Sequence, residues 1–262
     1  MSKLEKAYLQ LTSAAYNTMP GAPDSRVSIF VTVLYLCLLL SVPLDHLSQI
    51  IWFALYPVIT SAIIGIRYSK IFIASLFIIP LLALIGIFNP IFDTRPLFCI
   101  GNIVISNGWV TFTSIIFRGL FALQSVLILI RAVSFEGLCR GLRRLWIPAF
   151  LTDQLLFVFR YISVLLMETI TVRRAIDSRG YGKKHLPIRL WGRIVGQLFI
   201  RTLDRADKIH QAMLARGFSG TLPEGYGVRS KLNSSDLIFL IGWSGALILM
   251  RVYNISALFF HN

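Results

Sequence analysis

Acidic residues are scarce in this sequence: 12 Asp and Glu stand against 26 Lys and Arg in 262 residues. Charged residues of all kinds make up 15% of the chain, where soluble domains carry about 25%. So few charges cannot solvate a chain that is 56% hydrophobic with a mean hydropathy of +0.71. A soluble enzyme, a disordered tail and a nucleic-acid-binding domain are therefore disfavoured. Three cysteines, Cys37, Cys99 and Cys139, are too far apart for a CxxC site and set up no disulfide framework. The four histidines, His46, His185, His210 and His261, are dispersed, and no HExxH or Cys/His grouping offers a metal site. No GxxxxGK[ST] phosphate loop occurs; Gly180-Tyr181-Gly182-Lys183-Lys184 has the wrong spacing. The first 26 residues lack the basic start, apolar core and small-residue cleavage site of a signal peptide, so the first apolar run is expected to be a retained span.

What is present is a set of apolar runs near the ~20 residues that a helix needs to cross about 30 Å of hydrocarbon. Four precede residue 135: Val27–Val42, Leu47–Ile66, Ile71–Phe88 and Val110–Ile130. A fifth, Leu237–Phe260, follows the polar region. Asn89 to Gly108 reads as a polar loop. Arg118 inside the fourth span argues for a bundle-facing position, and Arg251 in the fifth either snorkels or faces protein.

The positive charge is regional. Residues 1–134 hold eight Lys and Arg with four acids, whereas residues 135–232 hold 17 with seven. Lys and Arg near span ends favour the cytoplasm. Lys3, Lys6, Arg26, Arg67, Lys70 and Arg131 then fall on the cytoplasmic side, with the N-terminus and the basic region, and the C-terminus lies outside.

Within the basic region Phe135–Leu145 reads as a short amphipathic helix ended by Pro148, and about Ala149 to Ser178 as a longer one, apolar in its first half and polar from Arg173. In a third, Ile194, Leu198, Thr202, Ala206, Ile209 and Met213 recur at steps of three and four, opposite Arg193, Gln197, Arg201, Asp204 and Lys208. Asp204 and Lys208 stand in the favourable i,i+4 order. Asp204 and Asp207 alternate with Arg205 and Lys208, which reads as a salt-bridged surface and not as a catalytic carboxylate pair. Gly192 and Gly196 are spaced for close helix approach.

The two long helices end alike. Ala175-Ile176-Asp177-Ser178-Arg179-Gly180-Tyr181 and Ala212-Met213-Leu214-Ala215-Arg216-Gly217-Phe218 share the order Ala, apolar, any, small, Arg, Gly, aromatic. Gly180 and Gly217 suit the left-handed C′ position, and Tyr181 and Phe218 suit C″, where an apolar side chain packs on the last turn. Each helix thereby presents one arginine at its tip. A basic last turn followed by glycine is a common helix stop, but two copies matched over seven positions are harder to assign to stopping alone.

At these residues the sequence resembles the transmembrane coupling subunit, or T component, of energy-coupling factor (ECF) transporters. The two small-Arg-Gly motifs would be Ser178-Arg179-Gly180 and Ala215-Arg216-Gly217, with Ser178 where the family has alanine. Leu142 to Pro148 and Asp204-Arg205-Ala206-Asp207 through Phe218 are also similar to family segments. The likeness runs over about residues 25–220 and is specific from 135 onward. Tyr16, Pro20 and Asp24-Ser25-Arg26-Val27 look closer to the cobalt- or nickel-dedicated T components than to those shared among vitamin-binding subunits.

The resemblance implies an all-α integral membrane protein of the bacterial cytoplasmic membrane, with about five transmembrane helices. Its parts would be an N-terminal cytoplasmic segment (1–26), a four-span bundle (27–134), cytoplasmic coupling helices (135–234) and a C-terminal span (235–262). It further implies that Arg179 and Arg216 dock into two cytoplasmic ATPase subunits, supported by Tyr181, Phe218, Asp204, Arg205 and Asp207. A substrate-binding membrane subunit would complete the complex. The chain itself would be non-catalytic and hold no metal or cofactor, with ATP and Mg in the partners. The remaining basic residues are expected to face anionic lipid. Two other classes are an integral-membrane enzyme acting on phosphorylated lipid or prenyl substrates and a monomeric channel or carrier. The first lacks an acidic metal-binding cluster, and the second would keep its distinctive polar groups inside the spans.

Overall fold

The computed structural model describes residues 22–43, 47–92, 96–100, 103–178, 188–220 and 233–252. The described residues form two compact units, one of residues 22–141 with 233–252 and the other of residues 142–220.

The first unit is a helical bundle. Helix α1 (Ser25–Ser41) starts at Asp24, whose carboxylate accepts from the Arg26 amide at 3.4 Å. Its buried residues Val27, Val31, Tyr35 and Leu39 recur every four positions and form one stripe of the core. Against that stripe pack Ile50 of α2 (Leu47–Trp52), Tyr56 of α3 (Leu55–Ile64) and Phe53 from the break between them. The Tyr35 and Tyr56 rings stack at 4.3 Å between centroids, and Trp243 meets Tyr56 edge-on at 4.9 Å.

Helices α4 (Tyr68–Leu76) and α5 (Ile79–Gly86) form one apolar path bent by 46°. Pro80, in the first turn of α5, supplies no amide to continue α4, which accounts for the break. Short α6 (Phe88–Phe92) follows. Helix α7 (Asn107–Ala132) then crosses α5 so closely that a Cβ on Gly86 would lie 2.8 Å from the Phe112 ring, and one on Gly119 2.5 Å from Leu82.

The stretch read as a polar loop holds an antiparallel hairpin, β1 (Pro96–Ile100) paired with β2 (Ile103–Ser106), with Ile100 opposite Ile103. Apolar, β-branched and aromatic residues flank Gly101-Asn102, a hairpin-turn dipeptide. Apart from this hairpin the described chain is helical, as an integral membrane protein of this class requires.

Helix α8 (Phe135–Arg144) begins beside α1. A Cβ on Gly141 would come within 2.6 Å of Ile29 Cδ1 and 3.2 Å of the Ser25 backbone, and one on Gly137 within 2.9 Å of Ser25 Oγ. These two glycines, four apart, seat α8 on the first turns of α1. The boundary between the two units accordingly falls after Gly141 rather than at residue 135. Helix α11 (Ser234–Val252) closes the bundle; residues 253–260 of the expected last span lie outside the described residues.

Two strong long-range ties fix α1 at its ends. The Asp24 amide donates to Asp236 Oδ1 at 3.0 Å, and Asp236 also accepts from the Asn233 amide at 3.1 Å, as the third-position acid of a capping box does. At the far end Arg118 donates to the carbonyls of Leu40 and Val42, at 3.4 and 2.5 Å, and Arg251 to that of Ser41 at 3.1 Å. Helices α1 and α11 therefore run parallel. Both charges noted inside expected spans turn out to cap one helix terminus.

The second unit is built on α9 (Ala149–Ser178) and α10 (Ile188–Ala215). Among the described residues three helices are long and apolar enough to cross a membrane: Asn107–Ala132, Ala149–Ile176 and Ser234–Val252. The bent α4–α5 path counts as a fourth, and Ser25–Ser41 and Gln49–Ile64 are shorter apolar helices. The five expected spans thus coincide in place with α1, α2–α3, α4–α5, α7 and α11. Ala149–Ile176 is additional, because Asp153 and Arg160 are the only charges in its first half.

Replacing Gly141 by Leu should lower stability in detergent by about 1–3 kcal/mol through overpacking. Gly192→Ala, at a helical site where a Cβ would meet nothing within 4 Å, should raise it by ~0.5–1 kcal/mol; thermal unfolding of both variants reads the contrast. Burial pushes the Cys139 thiol from 9.0 up to about 11, with Glu136 adding to the shift. The folded protein then keeps a proton that the unfolded chain releases. Stability from this group is complete below pH 9 and declines towards about pH 11, and this decline should vanish from the pH profile of Cys139→Ala.

Candidate docking site at the helix ends

The second unit carries the residues singled out by the repeated motif. On α10 the residues expected to face inward are the covered ones: Ile194 is buried, and Leu198, Thr202, Ile209 and Met213 are half-buried. Ala206 is exposed but lines a shallow apolar cleft with Thr202 and Ile209 of α10 and Tyr161, Val164 and Leu165 of α9. The two long helices cross there. Beside the cleft Glu168 of α9 faces two arginines of α10, Arg205 at 3.5 Å and Arg201 at 3.8 Å.

That pairing differs from the expected one. Asp204 and Lys208 are exposed and form no ion pair with each other among the described residues. An exposed pair gains little against the entropy of two long side chains, whereas Glu168, only 21% exposed, offers the arginines a partly desolvated partner. The glycines Gly192 and Gly196 likewise meet nothing within 4 Å, and the close approach expected of them occurs instead at Gly137 and Gly141.

The end of α10 has the expected cap. Gly217 is left-handed at φ +80°, its amide donates to the Leu214 carbonyl at 2.9 Å, and the Phe218 amide donates to the Met213 carbonyl at 3.0 Å. These are the two bonds of a Schellman motif, with Gly217 at C′ and half-buried Phe218 at C″. Arg216 is the last residue before the reversal. It is exposed, and its guanidinium has no protein partner among the described residues. Asp207 is exposed as well.

At the other motif, Ser178 is the last residue of α9, and its hydroxyl donates to the Arg174 carbonyl at 2.6 Å. The oxygen that distinguishes this motif from its alanine counterpart is thereby taken up by the helix itself. Arg179, Gly180 and Tyr181 lie outside the described residues.

A family model described as "CbiQ: Cobalt transport protein" matches residues 17–225. The chain belongs to this cobalt transport protein family. Among its relatives is the cobalt transport protein CbiQ of Salmonella typhimurium, 33% identical over 115 residues, which are 43% of this chain and 51% of that protein. The nickel permease LarQ of Lactiplantibacillus plantarum is 29% identical over 96 residues, 37% of this chain and 35% of that protein. An uncharacterized protein of Methanocaldococcus jannaschii is 27% identical over 104 residues, 38% of this chain and 35% of that protein. The chain thus matches about half the length, or less, of these relatives. CbiQ-family membership agrees with the T component that the helix-end motifs resemble and with the cobalt/nickel type that Tyr16, Pro20 and Asp24 to Val27 resemble, and it does not favour a lipid- or prenyl-modifying enzyme. The apolar helices make this family member a multi-pass membrane protein.

Sequence reasoning missed Glu168. A signal existed: it is the only acid between Asp153 and Asp177. With both arginines 43–50% exposed, the pair should contribute no more than about 1 kcal/mol. A double-mutant cycle of Glu168→Gln and Arg205→Gln, followed by thermal unfolding, should return a coupling of that size.

Proposed function

We propose that this chain is the membrane-embedded, non-catalytic subunit of an ATP-driven uptake system of the ECF type, coupling ATP hydrolysis in two cytoplasmic partner subunits to uptake of a metal ion. The ion is cobalt or nickel, in line with what the names of the Salmonella and Lactiplantibacillus relatives state for those proteins. A separate membrane subunit binds it, and ATP and Mg belong to the partner ATPases.

The observation that carries this reading is Arg216. A long amphipathic helix ends in a glycine cap that leaves one permanently charged guanidinium at its tip with no partner among the described residues. Guanidinium binds carboxylate bidentately and stays ionised at any physiological pH, so such a tip fits an acidic groove on a soluble partner. Arg179 repeats the motif in sequence at the end of α9. Two matched tips suit two ATPase subunits, with Asp204, Arg205 and Asp207 on the same helix about two to three turns before the second. The N-terminal ends of α1 and α11 lie together at Asp24 and Asp236, and the Lys and Arg bias assigns that end, with residues 135–232, to the cytoplasm. The membrane is then the bacterial cytoplasmic membrane.

Arg179→Glu combined with Arg216→Glu should abolish co-purification with nucleotide-binding subunits while the chain stays inserted and folded. A glutamate at a helix C-terminus costs only ~0.3–1 kcal/mol against the dipole, so loss of fold is not the expected cause. Retention of an active ATPase complex by the double variant would overturn the docking role.

A further inference from the structure

Among the described residues three helix ends share one closing feature, a residue of positive φ followed by an amide that donates to the carbonyl five residues back. After α3, Gly65 at φ +77° is followed by Ile66, whose amide donates to the Ser61 carbonyl at 2.9 Å. After α10, Gly217 and Phe218 repeat the arrangement. After α8, the Ile147 amide donates to the Leu142 carbonyl at 3.3 Å, but the left-handed position, at φ +69°, is held by Trp146. It is the one non-glycine residue with positive φ among those described. A bulky side chain is strained there, and such strain persists where something else gains from it.

Packing among the described residues does not supply that gain. The Trp146 side chain is 97% exposed, with no hydrogen bond or ring contact among the described residues. Its neighbours are ordered by polarity. In the chain Arg143 and Arg144 come before it, and after it Phe150 and Leu151 open α9 at 58% and 55% exposed, followed by exposed Leu155, Val158 and Ile162. Arg143 holds Asp153 at 3.2 Å, which neutralises the single acid in the first half of α9. Ala149–Ile176 is apolar enough to enter a membrane, yet only 6% of its most apolar window is buried in the protein. Arginine, then an indole, then Phe and Leu is the order of layers met on passing from headgroups into acyl chains, and tryptophan is enriched at that boundary because it is apolar with one N–H donor. The surplus of cations in residues 135–232 complements anionic headgroups.

We infer that the Trp146 turn is a membrane-interface anchor, seated at the headgroup–acyl boundary of an anionic bilayer with Arg143 and Arg144 on the headgroup side and Phe150 and Leu151 on the acyl side. It fixes the depth at which α9 begins. The inference stands whether or not the helix tips dock ATPases.

The test uses the full chain in vesicles of phosphatidylethanolamine and phosphatidylglycerol. Subtracting the fluorescence of Trp146→Phe from that of the unaltered protein isolates one of five tryptophans. The expected difference signal is quenched several-fold more strongly by lipids brominated near the headgroup than by lipids brominated near the chain end, and is shielded from iodide in the water. Trp146→Gly gives the same subtraction with a relaxed backbone if the phenylalanine variant folds poorly, and should have the higher thermal midpoint. A signal open to iodide and indifferent to both bromines would overturn the anchor. So would deeper quenching by the chain-end bromine, or shielding that develops only when a partner protein is added.

Discussion

The bundle depends on how helix α1 is finished at its two ends. A helix leaves its first amides and last carbonyls without internal partners, and in hydrocarbon no water satisfies them. Here the far-end carbonyls of Leu40, Ser41 and Val42 are served by guanidinium groups from two other helices, 76 to 210 residues away in sequence. The near-end amide of Asp24 is served by Asp236, 212 residues on. Requirements that would otherwise count against a short apolar helix become the links that set α7 and α11 beside it. They also fix where the chain leaves and returns. Gly141 lies against Ser25, and Asn233 is tied to Asp236, which holds Asp24. Gly141 and Asn233 thus both lie at the N-terminal end of α1.

That end is packed through glycines. Gly137 and Gly141 bring the α8 backbone within side-chain distance of α1, and between them Cys139 is buried with its proton held well above the usual thiol range. A helix whose sequence reads as a basic surface element is therefore part of the bundle along one edge. Its three arginines follow from the other faces. The same chain segment serves two environments, which is why its hydropathy alone did not reveal its place.

How much of this was legible in the sequence follows from the range of the interactions involved. The helix over Ala149–Ser178, the covered face of α10 and the cap at Gly217 are local matters of period and φ, and residue order displays them. Arg118 and Arg251 could be recognised as anomalous in spans, but their partners are backbone carbonyls, which every residue has, so sequence names no target. The hairpin within 96–106 was masked by the Asp93, Arg95, Asn102 and Asn107 around it, although Gly101-Asn102 between apolar runs is a turn signal. Gly192–Gly196 and Gly137–Gly141 have the same spacing. What separates them is the presence of a neighbouring helix, and that is a property of the fold.

The crossing of α9 and α10 shows why a weak interaction suits its place. A dry, fully buried ion pair would cost several kcal/mol to desolvate and would be strongly destabilising to break. The Glu168 carboxylate is instead one-fifth exposed and within 4 Å of two guanidiniums that sit one helical turn apart. Either arginine alone satisfies it, so a shift of α10 along its axis exchanges one partner for the other and leaves no buried charge bare. The apolar cleft around Tyr161, Leu165 and Ile209 has no directional preference of its own. The charge pair therefore favours any register that keeps one arginine beside Glu168, while the contact that holds the helices together tolerates movement between such registers.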